Sequence, residues 1–220
     1  MPAPALNRTD PESTPVGLVL MLHGGAKHGT DEVRARSASL RRTAAMRDAL
    51  APRLVRAGLS VWLLRYGVRG WNAGAGREPS PVTDARWALD EARAAHPGVP
   101  VVLLGHSMGG RTAIHVADHP SVTGVVALAP WLERSDPVHT LAGRHLLAGH
   151  GSRDRITSPR ATRAYVARAE RTAASAEFVE LADRGHYMLR GVVEWNRFAL
   201  RSTIDVLTRG GVDLQDQAAG

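Results

Sequence analysis

Six runs of apolar, β-favouring residues punctuate the chain: Val16–Leu22, Leu59–Leu64, Val99–Leu104, Val122–Leu128, Arg144–Ala148 and Glu177–Leu181. Several are continuous, as in Val101-Val102-Leu103-Leu104. Such runs suit strands covered on both faces, which is the setting of a parallel sheet. Segments with helical spacing lie between most of them: Ala44–Ala57, Val82–Ala95, Met108–His119, Pro159–Arg171 and Val192–Thr208. Ser158 before Pro159 reads as an N-cap with proline at the first helical position. Asp84 is expected in the first turn of its helix, where a carboxylate suits the dipole. Alternating strands and helices imply right-handed crossovers. The predicted fold is therefore α/β, a doubly wound, mainly parallel sheet of about six strands with helices on both faces. Trp62, Trp87 and Trp195 fall on these elements and read as packing residues.

No linker or internal repeat divides the chain, and 220 residues are enough for one sizeable core. The reading is one domain over residues 16–208, flanked by flexible tails at residues 1–15 and 209–220. Residues 1–15 contain no apolar signal core, and no apolar run is long enough to span a bilayer, so a cytoplasmic protein is expected. The absence of cysteine excludes a thiol nucleophile and Cys-ligated metal.

The net charge of +7 is almost all arginine, since Lys27 is the only lysine. Arg34, Arg36, Arg41, Arg42 and Arg47 are concentrated early in the chain. They are either a solvated surface or an attraction for an anionic partner such as an acidic carrier protein. No nucleic-acid motif accompanies them, and no aromatics interleave, so no nucleic-acid partner is expected.

Chemistry enters with Gly105-His106-Ser107-Met108-Gly109, which follows an apolar run and opens a helical one. In that strand–turn–helix context G-x-S-x-G marks a serine nucleophile lifted off the end of a sheet. A serine hydroxyl needs a base, and the base needs an acid to fix its tautomer. His186, just past the last strand, is the candidate base. Asp154, after the strand ending near Ala148, is the candidate acid; Asp136, one strand earlier, competes, and Glu133 more weakly. The oxyanion must meet backbone N–H groups. Met108 supplies one, and the loop after the first strand, Leu22-His23-Gly24-Gly25-Ala26, supplies the other, from Gly25 or else Ala26. His23 is expected to brace that loop. Trp71, Trp131 and His106 are candidates for the wall of a substrate pocket. His115 and His119 share a helix face but lack the adjacent Glu of a metalloprotease motif, so no metal is expected. Gly70–Gly76 holds a glycine-rich pattern outside any strand-to-helix turn, which argues against a nucleotide loop.

HGG at 23–25, GHSMGG at 105–110, GSRD at 151–154 and RGHY at 184–187 each stand behind a strand, in this order. Together they resemble the α/β-hydrolase superfamily in its serine-hydrolase form, which includes esterases, lipases and thioesterases. The likeness runs from Val16 to about Thr208. It implies an eight-stranded parent sheet whose two N-terminal strands are missing here. Ala129–Gly143 is too short for the helical cap common in that superfamily, so an open site, or one covered only by Lys27–Thr43 and Gly67–Pro81, is expected.

The expected activity is hydrolysis of a small-molecule carboxylic ester or thioester through an acyl-enzyme, with no cofactor. Two alternatives stand beside it. One is an acyltransferase or thioesterase acting on carrier-bound chains. The other is a non-catalytic binding protein on the same scaffold.

Overall fold

A computed structural model describes residues 2–74 and 76–214. Among the described residues seven strands form one sheet in the order β1-β3-β2-β4-β5-β6-β7. They are β1 (Ala5–Thr9), β2 (Gly17–Leu22), β3 (Leu59–Arg65), β4 (Val101–His106), β5 (Val122–Leu128), β6 (His145–Gly151) and β7 (Ser175–Leu181). All neighbours are parallel except β1 with β3. Every residue of β2 and β4 is buried, as the continuous apolar runs require. The helices are α1 (Ala38–Arg56), α2 (Ser80–Ala95), α3 (Met108–His115), α4 (Pro159–Ala169) and α5 (Val192–Arg209). α1 and α5 pack against each other, while α2 packs against α3. No helix among the described residues is long and apolar enough to cross a membrane.

The strand order reverses between β2 and β4. The chain passes from β2 to β3 on one side, then returns to place β4 on the other. Loops leaving the carboxyl ends of two such strands diverge and open a crevice. The loops beginning at His23 and at Ser107 leave from that crevice, so topology alone sets the HGG turn against the serine turn.

The structure corrects several expectations. The tail expected over residues 1–15 is not free where it is described, because β1 pairs antiparallel with β3 and sets Arg8 opposite Trp62. The Arg8 guanidinium lies over the Trp62 ring, 4.3 Å from its centroid, and Trp62 Nε1 donates to Asp10 at 2.7 Å. One of the two strands thought missing from the eight-stranded parent is thus present. At the other end, Val212 is buried and its N–H bonds to the Leu207 carbonyl at 3.0 Å, so the chain stays packed beyond Arg209. The rest of the expected C-terminal tail, 215–220, lies outside the described residues.

The helix boundaries also move. α1 starts six residues early and takes in Arg41 and Arg42. α2 starts at Ser80, which removes Asp84 from the first turn; its carboxylate instead accepts from the Gly67 N–H at 2.9 Å. The N-cap at Ser158 forms as expected, with its hydroxyl accepting from Ala161 N–H at 3.1 Å. Trp62 and Trp195 are fully buried, whereas Trp87 is exposed.

Candidate active site

Ser107 occupies the turn between β4 and α3 with φ 56° and ψ −116°. A side-chain-bearing residue at positive φ is strained by about 1–3 kcal/mol and must be held by its surroundings. Two glycines make the holding possible. A Cβ at Gly105 would collide with the Gly109 backbone, and a Cβ at Gly109 would collide with the Leu22 carbonyl. The elbow therefore packs directly onto the end of β2. Both spacings in the motif follow from this close approach.

His186 reaches Ser107 from the loop after β7. Its Nε2 lies 3.0 Å from Ser107 Oγ, and its Nδ1 lies 2.8 Å from Asp154 Oδ2. An Nδ1–H donated to Asp154 leaves Nε2 free to accept the serine proton, the tautomer that a general base needs. Asp154 follows β6, and its side chain is fully buried. Oδ1 accepts from the Ile156 and Thr157 amides at 2.8 and 2.9 Å, and Oδ2 from His150 Nε2 at 3.0 Å. Burial pushes the Asp154 carboxyl up, but the bonds from His150, His186, Thr157 and Ile156 outweigh it and hold it well below the usual range. The group stays ionised beside the imidazole.

Three further side chains complete this cluster. His150 Nδ1 pairs with Thr162 Oγ1 at 2.9 Å, which fixes the ring edge turned to Asp154. Thr157 Oγ1 lies 2.9 Å from Asp154 Oδ2 and 3.0 Å from His186 Nδ1. The sequence reading missed both residues. The turn Asp154-x-x-Thr157, in which the aspartate caps amides two and three residues on, is a signal that could have found Thr157. Buried His106 is the third. Its Nε2 lies 3.0 Å from the His186 carbonyl oxygen, and burial pushes the imidazole down to about 3, so the neutral ring donates there and braces the His186 loop.

Asp136, the rival acid, sits elsewhere. Its Oδ1 accepts from Arg111 Nε at 2.8 Å and lies 2.9 Å from His115 Nε2. Arg111 also pairs with Glu133 at 3.0 Å. The Arg111 guanidinium lies 4.5 Å from the centroids of both Trp71 and Trp131. These residues form a clamp beneath the loop after β5. Among the described residues neither Asp136 nor Glu133 bonds to His186, and the two tryptophans stack on Arg111. His119 takes the Ser121 amide at 3.3 Å, so it shares no partner with His115.

The oxyanion candidates separate as well. The Ala26 N–H donates to the Arg69 carbonyl at 2.9 Å, which removes it as a donor to substrate. The N–H groups of Gly25 and Met108 have no partner among the described residues. His23 is buried; its Nδ1 lies 2.7 Å from the Gly24 carbonyl, and its Nε2 accepts from the Tyr66 amide at 3.3 Å. Desolvation pushes this imidazole down to about 4, so it braces the loop as a neutral ring.

The cavity beside the oxyanion loop is not lined by Trp71, Trp131 or His106. It measures about 680 Å³ and is lined by Gly24 and Gly25, by Arg34, Arg36, Arg42 and Arg69, and by Tyr187 among others. A smaller apolar hollow of about 370 Å³ adjoins it, walled by Met46, Met188, Leu189 and Trp195. The loops expected over the site build one wall together. Val33 N–H bonds to the Gly67 carbonyl, Arg69 N–H to Asp31, and Gly70 N–H to Gly29, at 3.0–3.1 Å. Among the described residues no three His, Cys, Asp or Glu side chains are placed to hold a metal ion.

Residues 43–149 match the family model described as serine aminopeptidase, S33. The matched stretch includes Ser107 and ends before Asp154 and His186. No curated protein sequence matches the chain significantly. Solved structures are similar over nearly their whole length. An α/β serine hydrolase homologue from Coxiella burnetii is 18% identical with a TM-score of 0.67, covering 90% of this chain and 91% of its own. An α/β serine hydrolase without a lid from Xanthomonas campestris is 17% identical at 0.67, covering 92% and 88%. Esterase 2 of Thermogutta terrifontis, phosphonylated by cyclosarin, is 15% identical at 0.72, covering 96% and 91%. With its doubly wound sheet, a serine at the strand–helix elbow and a histidine behind the last strand, the chain has the fold of these α/β serine hydrolases, and its central part, 43–149, matches the serine aminopeptidase family model.

Proposed function

We propose that the protein is a serine hydrolase that cleaves carboxylic esters or thioesters through an acyl-enzyme. One observation carries this reading: the unbroken chain from Ser107 Oγ to His186 Nε2 at 3.0 Å, and from His186 Nδ1 to Asp154 at 2.8 Å. Two amides without a partner among the described residues, Gly25 and Met108, stand beside it. His186 takes the hydroxyl proton as Ser107 attacks the carbonyl carbon. The Gly25 and Met108 amides stabilise the oxyanion as it forms. The resulting imidazolium is balanced by Asp154, and it gives its proton to the departing alcohol or thiol. Water, deprotonated by His186, then attacks the acyl-serine and releases the acid. His106, His150 and Thr157 hold the base and the acid in place and take no proton from substrate.

The test is covalent labelling by a fluorophosphonate, together with turnover of an ester and thioester panel and, beside it, of an amide, an aminoacyl p-nitroanilide. Wild type is expected to label at Ser107 and to hydrolyse at least one ester class. Ser107→Ala is expected to lose labelling and to drop in turnover by about 10⁶-fold. Equal labelling of both proteins would move the nucleophile to another residue.

A further inference from the structure

Resting on the esterase reading, we propose that the site is built for substrates bearing a negative charge, a carboxylate or a phosphate, seated in the arginine-lined cavity beside the oxyanion loop. Gly24 is a lining residue of that cavity, and a Cβ on it would stand 3.4 Å from the Ser107 Cβ. Tyr187, another lining residue, follows His186, with ring centroids 5.3 Å apart. An anion held there is therefore bound beside the reacting atoms.

Four arginines line this space: Arg34, Arg36, Arg42 and Arg69. None forms an ion pair among the described residues, although ten other arginines of this chain do. Arg42 is the most committed. Its Nε is buried without a hydrogen-bond partner among the described residues, and its guanidinium lies over the Tyr187 ring, 5.0 Å from the centroid. A buried donor without a partner is costly unless a ligand supplies one. Ser37, Ala38 and Ser39 bring the N-terminus of α1 to the same space, and no acidic residue in its first turn offsets the dipole.

Two carboxylates also line the cavity, and neither cancels the arginines. Glu32 pairs with Arg65 at 3.6 Å, which leaves Asp31 against four positive groups. The wall carrying Arg69 is already hydrogen-bonded to the loop carrying Arg34 and Arg36, so the charges are gathered before any ligand arrives. The apolar hollow shares Ala38 and Arg42 with this cavity. It offers a place for the uncharged part of a short or medium chain.

The test compares kcat/KM within two matched ester pairs. One pair is the p-nitrophenyl half-ester of glutarate and its terminal carboxamide, with the charge on the acyl side. The other is O-acetyl glycolate and O-acetyl glycolamide, with the charge on the alcohol side. Wild type is expected to favour the anionic member of at least one pair by about tenfold at low ionic strength, the sum of several partly exposed charge contacts. The preference should shrink at about 0.5 M salt. In Arg36→Gln/Arg42→Gln the ratio should fall toward one, and Arg42→Lys should restore part of it. Competition by inorganic phosphate against competition by glutarate tells which anion is preferred. If neither pair is turned over, slowing of fluorophosphonate labelling by glutarate or phosphate, but not by glutaramide, supports the proposal. Equal turnover within both pairs, or equal labelling rates with and without those anions, overturns it. Failure of labelling altogether overturns the esterase reading instead. If the double variant does not fold, the wild-type ratios still decide.

Discussion

Two aspartates stand behind neighbouring strands, each buried and each touching a histidine. Asp136 follows β5 and Asp154 follows β6, with side chains 1% and 0% exposed. Both carboxyls lie below their ordinary value although burial alone pushes them up. The difference is in the company each keeps. Asp136 faces a guanidinium, and its charge is already neutralised by Arg111. Asp154 has no arginine or lysine partner among the described residues; its donors are amides, a hydroxyl and two imidazoles. A carboxylate paired with Arg⁺ has little left to offer an imidazolium that exists only during reaction. A carboxylate held by neutral dipoles keeps its field for that moment. Within the proposed mechanism the two aspartates are told apart not by burial or a histidine neighbour, which they share, but by the permanent counter-ion that Asp136 has and Asp154 lacks among the described residues.

Asp154→Asn gives the largest expected effect. The amide preserves the shape but cannot accept from His186 Nδ1 in the same way, so the wrong tautomer faces Ser107. Turnover and the rate of fluorophosphonate labelling should both fall by about 10⁴-fold with the fold retained, read by steady-state kinetics and circular dichroism. Asp136→Asn should do the reverse. It leaves Arg111 between two tryptophans with only Glu133, 42% exposed, as a counter-charge. Stability should fall by about 3–5 kcal/mol in denaturant titrations, while labelling of the folded fraction stays near wild type. If Asp136→Asn abolished labelling of folded protein and Asp154→Asn did not, the two assignments would exchange.

The elements that were legible in the sequence are those a short stretch of backbone dictates. Gly105, Ser107 and Gly109 are tied to one another by contact within a single turn, so their spacing carries their geometry. Asp154 and His186 could be read because each lies just beyond an apolar run. What was not legible depends on distant partners. β1 is a polar edge strand whose alignment rests on Trp62 and Asp10, 52 positions apart. Ala26 loses its free amide to the Arg69 carbonyl, across 43 positions of sequence. Trp71 and Trp131 looked like pocket residues because they lie in loops near the site, yet Arg111 draws both rings to itself. The arginine cavity joins residues before α1 to a loop after β3, so no local window contains it.

Acid sensitivity gives the smallest and most discriminating prediction. Both aspartates have folded-state values depressed below those of the unfolded chain. A group depressed in this way adds stability that is fully present above its unfolded value, about 3.9. That stability is lost as pH falls through the folded value, because the unfolded state then binds more protons. Wild-type unfolding free energy should hold steady only above about pH 7, because the His23 and His106 imidazoles, held neutral in the fold, take up protons on unfolding below about 6.5. Below about pH 4 the fall should steepen, with each such carboxylate contributing a slope approaching 1.4 kcal/mol per pH unit. Asp136→Asn removes one of the two, so its curve should be lower at neutral pH but flatter by up to one proton in the acid range. Asp154→Asn should flatten the acid limb in the same way. Equilibrium denaturation at several pH values checks this. Acid slopes unchanged in both variants would mean that neither carboxylate is held ionised by its neighbours, and the contrast between the two sites would lose its electrostatic basis.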